Sequence, residues 1–416
     1  MSQHSDTCPN RRRFLQAAAM AATAASVPEG GLQAQEPGPG PQGSRADFPR
    51  RLLGKTGVEI TMIDQGAVRG QAVDSILPFA YSQGIRTFDT AKVYGTEGNF
   101  RKWFERDANL RKSIFLITKD MPKTASQMTK MVDERLEALG TDYIDLFFIH
   151  GLGDDHTLDG AIDLVTGQEF KEAADKIRKS GKARFIGFST HHKDRAPIIE
   201  AAAKANIIDA IMLQYRPWLD KDSPLNKAID AAHKADIGLI SMKQIAGNYF
   251  GDKPTGNILD DVKKRVPMLN ERKLTPFQGL LHAIWSDERI SSICVSMRNF
   301  DQIKENVDAA RRFEPLKEAD MRQLRDATLA HNPTLCADCD GRCMAAAATK
   351  AELGVMTRYL TYHQHLGDRA EARRLYAELP PEAKDWAAAD LAAARQACPG
   401  RLDFARLLAE VERHLA

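Results

Sequence analysis

Ile85-Arg86-Thr87-Phe88-Asp89-Thr90-Ala91-Lys92-Val93-Tyr94-Gly95 is the stretch on which the reading of this chain turns. A short apolar run ends at a carboxylate, and a turn closed by glycine follows at once. The same arrangement comes twice more. Ile114-Phe115-Leu116-Ile117 leads into Thr118-Lys119, and Asp145-Leu146-Phe147-Phe148-Ile149 leads into His150. Short apolar runs of this kind predict strands. Helix-length amphipathic stretches such as Ser126–Leu139 and Gln168–Ser180 lie between the runs. Strand then helix, repeated, predicts βα units around a parallel sheet.

Moving outward from that core, further strands are expected at Glu59–Gln65, Phe185–Phe188, Ala210–Leu213, Gly238–Ser241 and Ser291–Val295, with another helix at Asp301–Arg311. With Ile85–Phe88, Ile114–Ile117 and Asp145–Ile149 they make about eight strands, as a barrel requires. The fold class is therefore α/β, a closed (β/α)8 TIM barrel rather than an open doubly wound sheet. No G-x-G-x-x-G follows the first strand, which argues against a Rossmann unit. Arg51-Leu52-Leu53-Gly54-Lys55-Thr56-Gly57 predicts an extra hairpin before the barrel. The barrel is expected over 48–315, followed by a mostly helical, cysteine-containing extension over 316–416.

At 416 residues the chain has room for one barrel and additional segments. An apolar fraction of 43% and a charged fraction of 27% suit a chain that buries a large core. Lys+Arg 58 against Asp+Glu 56 leaves a formal charge of +2, so there is no electrostatic footprint for nucleic acid.

The first 34 residues read as a targeting segment. Asn10-Arg11-Arg12-Arg13-Phe14-Leu15-Gln16, followed by the alanine-rich Ala17–Ala25, resembles a twin-arginine export signal. That resemblance implies the twin-arginine export machinery as a partner and a periplasmic or otherwise extracytoplasmic location. Cleavage after Ala24 and cleavage after Ala34 both fit. The apolar part is too short for a stable membrane span. Residues 35–47, rich in Pro and Gly, read as a flexible tether.

Chemistry in such barrels sits where the strands end. Asp89, Lys119 and His150 fall at the ends of successive strands, and Tyr94 lies in the turn after the first of them. Alone, each is unremarkable: a strand-end Asp is commonly a turn or cap, and a loop Tyr commonly a packing residue. Together they form a pattern. Asp89-Thr90-Ala91-x-x-Tyr94-Gly95, Ile117-Thr118-Lys119 and Phe148-Ile149-His150 resemble the Asp, Tyr, Lys and His segments of aldo-keto reductases. Gly181–Ser189 and Gln302-x-x-Glu305-Asn306 are similar to two more family segments, so the similarity runs from about Arg51 to Arg311.

The resemblance implies hydride transfer between NADP(H) or NAD(H) and a small-molecule carbonyl, an aldehyde, ketone or sugar. In that role Tyr94 supplies the proton, Lys119 lowers its pKa, Asp89 anchors Lys119, and His150 orients the carbonyl. A free tyrosine titrates near pH ~10, so an adjacent ammonium is what the chemistry requires. By the same resemblance, Ser189 and Gln214 hold the nicotinamide carboxamide. Lys243 with Ala246-Gly247 covers the pyrophosphate, and Arg298, Gln302, Glu305 and Asn306 grip the adenosine phosphate. Val295, Ser296 and Met242 depart from common family residues, which leaves NADP and NAD both open. Arg69, Trp218, Tyr249 and Phe250 are candidate pocket residues.

Six cysteines are unevenly placed, with Cys336, Cys339, Cys343 and Cys398 in the last fifth. Three within one loop and a distant Cys-Pro suit a [4Fe–4S] cluster, and some aldo-keto reductases carry a similar C-terminal segment. The C-x2-C-x3-C spacing departs from the ferredoxin run. A structural zinc site made by the four thiolates and a pair of disulfides are the alternatives. Cys294 reads as a small apolar residue of the last strand, and His363 and His365 as surface or packing residues. A cluster implies a redox partner. A second reading of the whole chain is an exported electron-transfer or binding protein on the same barrel, without nicotinamide turnover.

Overall fold

The computed structural model describes residues 48–416 apart from 69–71, 108, 154–155, 193, 220, 244–255, 332–335, 337–340, 366–368 and 399. The expected export signal and tether, and Arg69, Tyr249, Phe250, Ala246, Gly247 and Cys339, lie outside the described residues. Among the described residues no helix is long and apolar enough to cross a membrane.

Two strands, β1 (Arg50–Leu52) and β2 (Glu59–Thr61), pair antiparallel as a hairpin closed by Gly54–Thr56. Eight more form the barrel: β3 (Ile63–Gln65), β4 (Thr87–Asp89), β5 (Phe115–Asp120), β6 (Ile144–Ile149), β7 (Ala183–Thr190), β8 (Ala210–Gln214), β9 (Gly238–Met242) and β10 (Ser292–Val295). Neighbours pair in parallel in sequence order, and β10 closes on β3. The expected strand Glu59–Gln65 is in fact two. The chain bends at Met62, where the indole of Trp285 donates to the Met62 carbonyl at 3.0 Å. One half then serves the hairpin and the other the barrel. Lys119 lies inside β5, not after it.

Side chains alternate across each strand, and the two sets are separately buried. Leu116, Phe147, Ile149, Phe188 and Ile211 face outward into the layer of helices. Phe115, Ile117, Leu146, Phe148, Ala210, Met212 and Ile240 fill the barrel, with Leu53 and Ile60 of the hairpin packed into the same cluster. Interior space is tight at Gly187. A Cβ there would lie 1.9 Å from the Ala210 carbonyl oxygen and 2.7 Å from the Phe148 ring.

After the barrel, helix Glu318–Ala330 buries Leu324 and Ala327 against Val262, Leu269 and Leu280. The rest builds its own core around Leu353, Met356, Leu360, Leu407, Leu408 and Val411, with Cys343 and Cys398 inside it. The expected helical stretch Ala345–Leu391 is interrupted, with separate helices at Arg342–Ala346, Leu353–His365, Arg369–Glu378 and Pro381–Lys384. His363 stacks on His414 with ring centroids 5.2 Å apart.

Gly187→Ala should push β7 from β8 at a cost of about 1–3 kcal/mol through overpacking. A melting temperature several degrees lower, read by circular dichroism, is the expected result.

Candidate active site

The alternation that fills the barrel also selects what points into its mouth. Phe115 and Ile117 face inward on β5, so Lys119 does too; Leu146 and Phe148 on β6 put His150 on the same side. Ala210 and Met212 do this for Gln214 on β8, and Ile240 for Met242 on β9. Asp64, Asp89 and Cys294 converge from β3, β4 and β10, with one ligand atom of each within 4.8 Å of the others.

Lys119 is 1% exposed, and its ammonium donates to Asp89 and to the Thr90 carbonyl, the latter at 3.1 Å. Burial alone would lower its pKa, but the carboxylate of Asp89, helped by Tyr94, more than offsets this and holds the proton on. Burial raises the Asp89 carboxyl, and Lys119 opposes that rise. Asp64 is fully buried as well; burial, then Asp89, pushes its carboxyl well above the usual range. One ammonium thus faces two buried carboxyl groups, and the cost of burying a second charge falls on Asp64. Cys294 is not simple apolar filling. It is partly buried beside Asp64 and Asp89, and burial followed by these acids drives its thiol upward.

Tyr94 comes from the short turn Lys92–Tyr94, whose chain reversal rests on Gly95 at φ 68°. Its hydroxyl lies 3.3 Å from His150 Nε2, and the two rings meet edge to face at 5.4 Å. The Lys119 ammonium lies 5.5 Å from the Tyr94 ring centroid. Burial lowers the His150 pKa to about 3, with Lys119 and Lys243 adding to the effect, so the imidazole is neutral across the physiological range. Behind β5, Thr118 donates to Glu97 at 2.8 Å, and Glu97 accepts from Arg135 at 2.7 Å. This buried brace fixes the strand that carries Lys119.

On the other side of the mouth, Ser189 is buried, and its hydroxyl accepts from the Gly151 amide at 3.1 Å. Gln214 lines a cleft with Arg216 and Lys243. Lys243 follows β9 with φ 53°, a left-handed backbone unusual for a residue other than glycine. Beyond β10, Asn299 caps helix Phe300–Arg311, and the Gln302 side chain accepts from the Arg298 amide at 2.7 Å. Arg298, just before the helix, and Gln302 on it are exposed, and Asn306 further along the helix is half-buried. Glu305 is drawn elsewhere: its carboxylate accepts from the Thr275 hydroxyl at 2.6 Å, which gives it a structural role at a helix cap.

The sequence profile of the aldo/keto reductase family matches residues 61–328, more than half of the chain. The chain belongs to the aldo/keto reductase family. It is 25% identical over 292 residues to the L-galactose dehydrogenase of Arabidopsis thaliana, covering 64% of this chain and 89% of that one. It is 24% identical over 315 residues to the L-glyceraldehyde 3-phosphate reductase of Escherichia coli O157:H7, covering 62% and 86%. An aldo-keto reductase from Bacillus halodurans, in its apo form, matches the fold with a TM-score of 0.54 at 21% identity, over 68% of this chain and 96% of that one. As a member of the family, this aldo/keto reductase is an NAD(P)-dependent oxidoreductase that transfers hydride to carbonyl compounds.

The structure of this reductase adds residues that motif reading did not single out. Asp64 was accessible in principle, since it shares the inward alternation of β3. His191, just after β7, is driven well below the usual imidazole range by burial, with Lys243, Arg358, His150 and Arg195 contributing. Arg216 and Arg358 carried no local signal. Of the described cysteines in the extension, Cys343 and Cys398 are buried and Cys336 is half-buried, and no disulfide joins any of the three. Burial, together with Cys336 and Cys398, pushes the Cys343 thiol to about 12, which marks the three as neighbours.

A histidine near 3 when folded and near 6.5 when unfolded binds its proton first in the unfolded chain. Its contribution to stability is complete above pH ~6.5 and is lost as pH falls from there toward ~3. His150→Gln should therefore flatten the loss of stability on acidification by roughly one proton. Urea midpoints of the two proteins at neutral and mildly acidic pH provide the check.

Proposed function

We propose that this reductase delivers a proton from Tyr94 and orients the carbonyl with His150. The observation that carries this is the 3.3 Å approach of the Tyr94 hydroxyl to a neutral His150, beside the buried Lys119–Asp89 pair. A neutral His150 can donate to the carbonyl oxygen without adding a competing charge. Lys119, held protonated, favours the phenolate that Tyr94 becomes on giving up its proton. Asp89 acts through Lys119 as its anchor. NADP(H) or NAD(H), when bound, supplies or accepts the hydride.

The residues at the mouth fit such a dinucleotide. Ser189 and Gln214, inward-facing at the ends of β7 and β8, suit the carboxamide. Lys243 suits the pyrophosphate, and Arg298, Gln302 and Asn306, where the chain leaves β10, suit the adenosine end. The substrate is a small aldehyde, ketone or sugar; an L-galactose dehydrogenase and an L-glyceraldehyde 3-phosphate reductase among the relatives agree with that class.

The extension is assigned to a [4Fe–4S] cluster held by Cys336, Cys339, Cys343 and Cys398. Support comes from three thiols brought together around Cys343, two of them inside one core. Soft thiolates in a buried, apolar setting suit iron and sulfide, and the group would add one-electron transfer with a redox partner. Arg11-Arg12 and the alanine-rich run after them support export by the twin-arginine route to the periplasm.

Tyr94→Phe should lower carbonyl reduction by at least ~100-fold, the scale of a lost general acid, with the melting temperature unchanged. Near-parental turnover would remove Tyr94 from the mechanism. Anaerobically purified protein should show broad visible absorbance and about four irons per chain, and Cys398→Ser should lose both. A colourless protein with stoichiometric zinc would replace the cluster with a zinc site.

A further inference from the structure

Tyr94 is carried by a turn, not by a strand. None of the residues Lys92–Tyr94 is buried, and the backbone bonds of the turn are local: the Tyr94 amide donates to the Ala91 carbonyl at 3.0 Å and the Gly95 amide to that of Lys92 at 3.2 Å. Such bonds shape a turn but do not seat it against the barrel. An acid that must meet a carbonyl is sensitive to a misplacement of about 1 Å. What seats the turn therefore matters to the reaction.

Lys92 supplies a tie. Its ammonium lies 3.4 Å from Asp120 Oδ2 and 3.5 Å from Glu134 Oε2. Asp120 follows Lys119 on β5, so its side chain leaves the opposite face of the strand, toward helix Met128–Leu139. There Arg135 Nε stands 3.3 Å from the same oxygen, while Asp120 Oδ1 accepts from the Met121 amide at 2.8 Å. Glu97, paired with Arg135, completes the charged surroundings of Asp120. The Asp120 side chain is 3% exposed against 45% for Lys92, so the carboxylate is the fixed partner. Isolated surface ion pairs contribute little, but this one is anchored on a buried carboxylate shared by two cations.

Asp120 reaches another member of the site through its backbone. Its carbonyl accepts from the His150 amide at 2.8 Å, where β5 and β6 end. One residue thus adjoins Lys119 along the chain, holds the backbone of His150, and ties down the turn of Tyr94 through its carboxylate.

We propose that Asp120 is a positioning residue for carbonyl reduction: through Lys92 it seats the Tyr94 turn over Lys119 and His150. The proposal rests on the assignment of Tyr94 as the acid. Neither Asp120 nor Lys92 takes part in the proton transfer; both act on where the phenol stands.

The full-length parent, Lys92→Met, Lys92→Arg and Asp120→Asn are to be compared in NADPH-dependent reduction of 4-nitrobenzaldehyde. Lys92→Met and Asp120→Asn should each lower kcat by roughly 10-fold with the KM for NADPH unchanged, and Lys92→Arg should keep most of the parental rate. A phenol that drifts from the Lys119 ammonium loses the field that lowers its pKa. The alkaline limb of the pH profile should then move upward, toward pH ~10, in both variants. The shared direction is decisive. Acting by charge alone, loss of the Lys92 cation would raise the limb and loss of the Asp120 anion would lower it. Limbs that move in opposite directions, or a parental profile in Lys92→Met, overturn the proposal. A lower melting temperature with turnover and profile unchanged overturns it too, since Asp120 would then serve stability alone. Hydrogen exchange, which needs no turnover, is read on peptides that span 92–95. Faster exchange in Lys92→Met and Asp120→Asn, with parental exchange in Lys92→Arg, supports the seat; unchanged exchange overturns it. Should Tyr94→Phe still reduce the aldehyde, or the parent not reduce it, the assignment of Tyr94 is what fails, and exchange still decides whether Asp120 seats the turn.

Discussion

A buried ammonium against a buried carboxylate is the constraint around which this molecule is organised. Lys119 and Asp89 are both nearly inaccessible, and neither charge could be held there without the other. Each comes from the end of its own strand, β5 and β4, and the pair meets only because those strands are neighbours in register. Asp64, one strand further round, joins them with its carboxyl pushed upward by burial and by the neighbouring Asp89. The site's charge balance and the barrel's closure are therefore the same fact seen at two scales.

From that pair the chemistry is arranged upward to the rim. Lys119 faces the Tyr94 ring, Tyr94 meets His150, and burial keeps His150 uncharged. A protonated histidine here would compete with Lys119 for the same field and draw the phenol's electrons toward a second cation. The Glu97–Arg135 brace behind β5 serves this arrangement indirectly, by fixing the strand from which Lys119 projects.

The extension lines part of the barrel mouth. Its helix Leu353–His365 buries one face in its own core and turns the other toward the strand ends. Cys336 stands where that helix begins, so the geometry of the cysteine site and the shape of the cleft are linked through one glycine contact.

Short apolar runs alternating with helix-length amphipathic stretches were enough, from the sequence, to establish a barrel and to set Asp89, Lys119 and His150 at the ends of its strands. The reason is local: a run of apolar residues and the polar residue that ends it are read from neighbours along the chain, without reference to the rest of the molecule. Where local rules competed, sequence was insufficient. Glu59–Gln65 reads as one strand, yet tertiary packing of Trp285 and the hairpin splits it at Met62. Glu305 sits in a motif but is claimed by Thr275, a residue brought alongside only by folding. Cys294 has the composition of core filling and the neighbours of an acid cluster, and parity alone does not name those neighbours. Arg216 and Arg358 had no motif at all. Their meeting depends on how a helix far along the chain is laid across the barrel mouth, and no spacing of residues along one strand or helix encodes a contact between separate packing units.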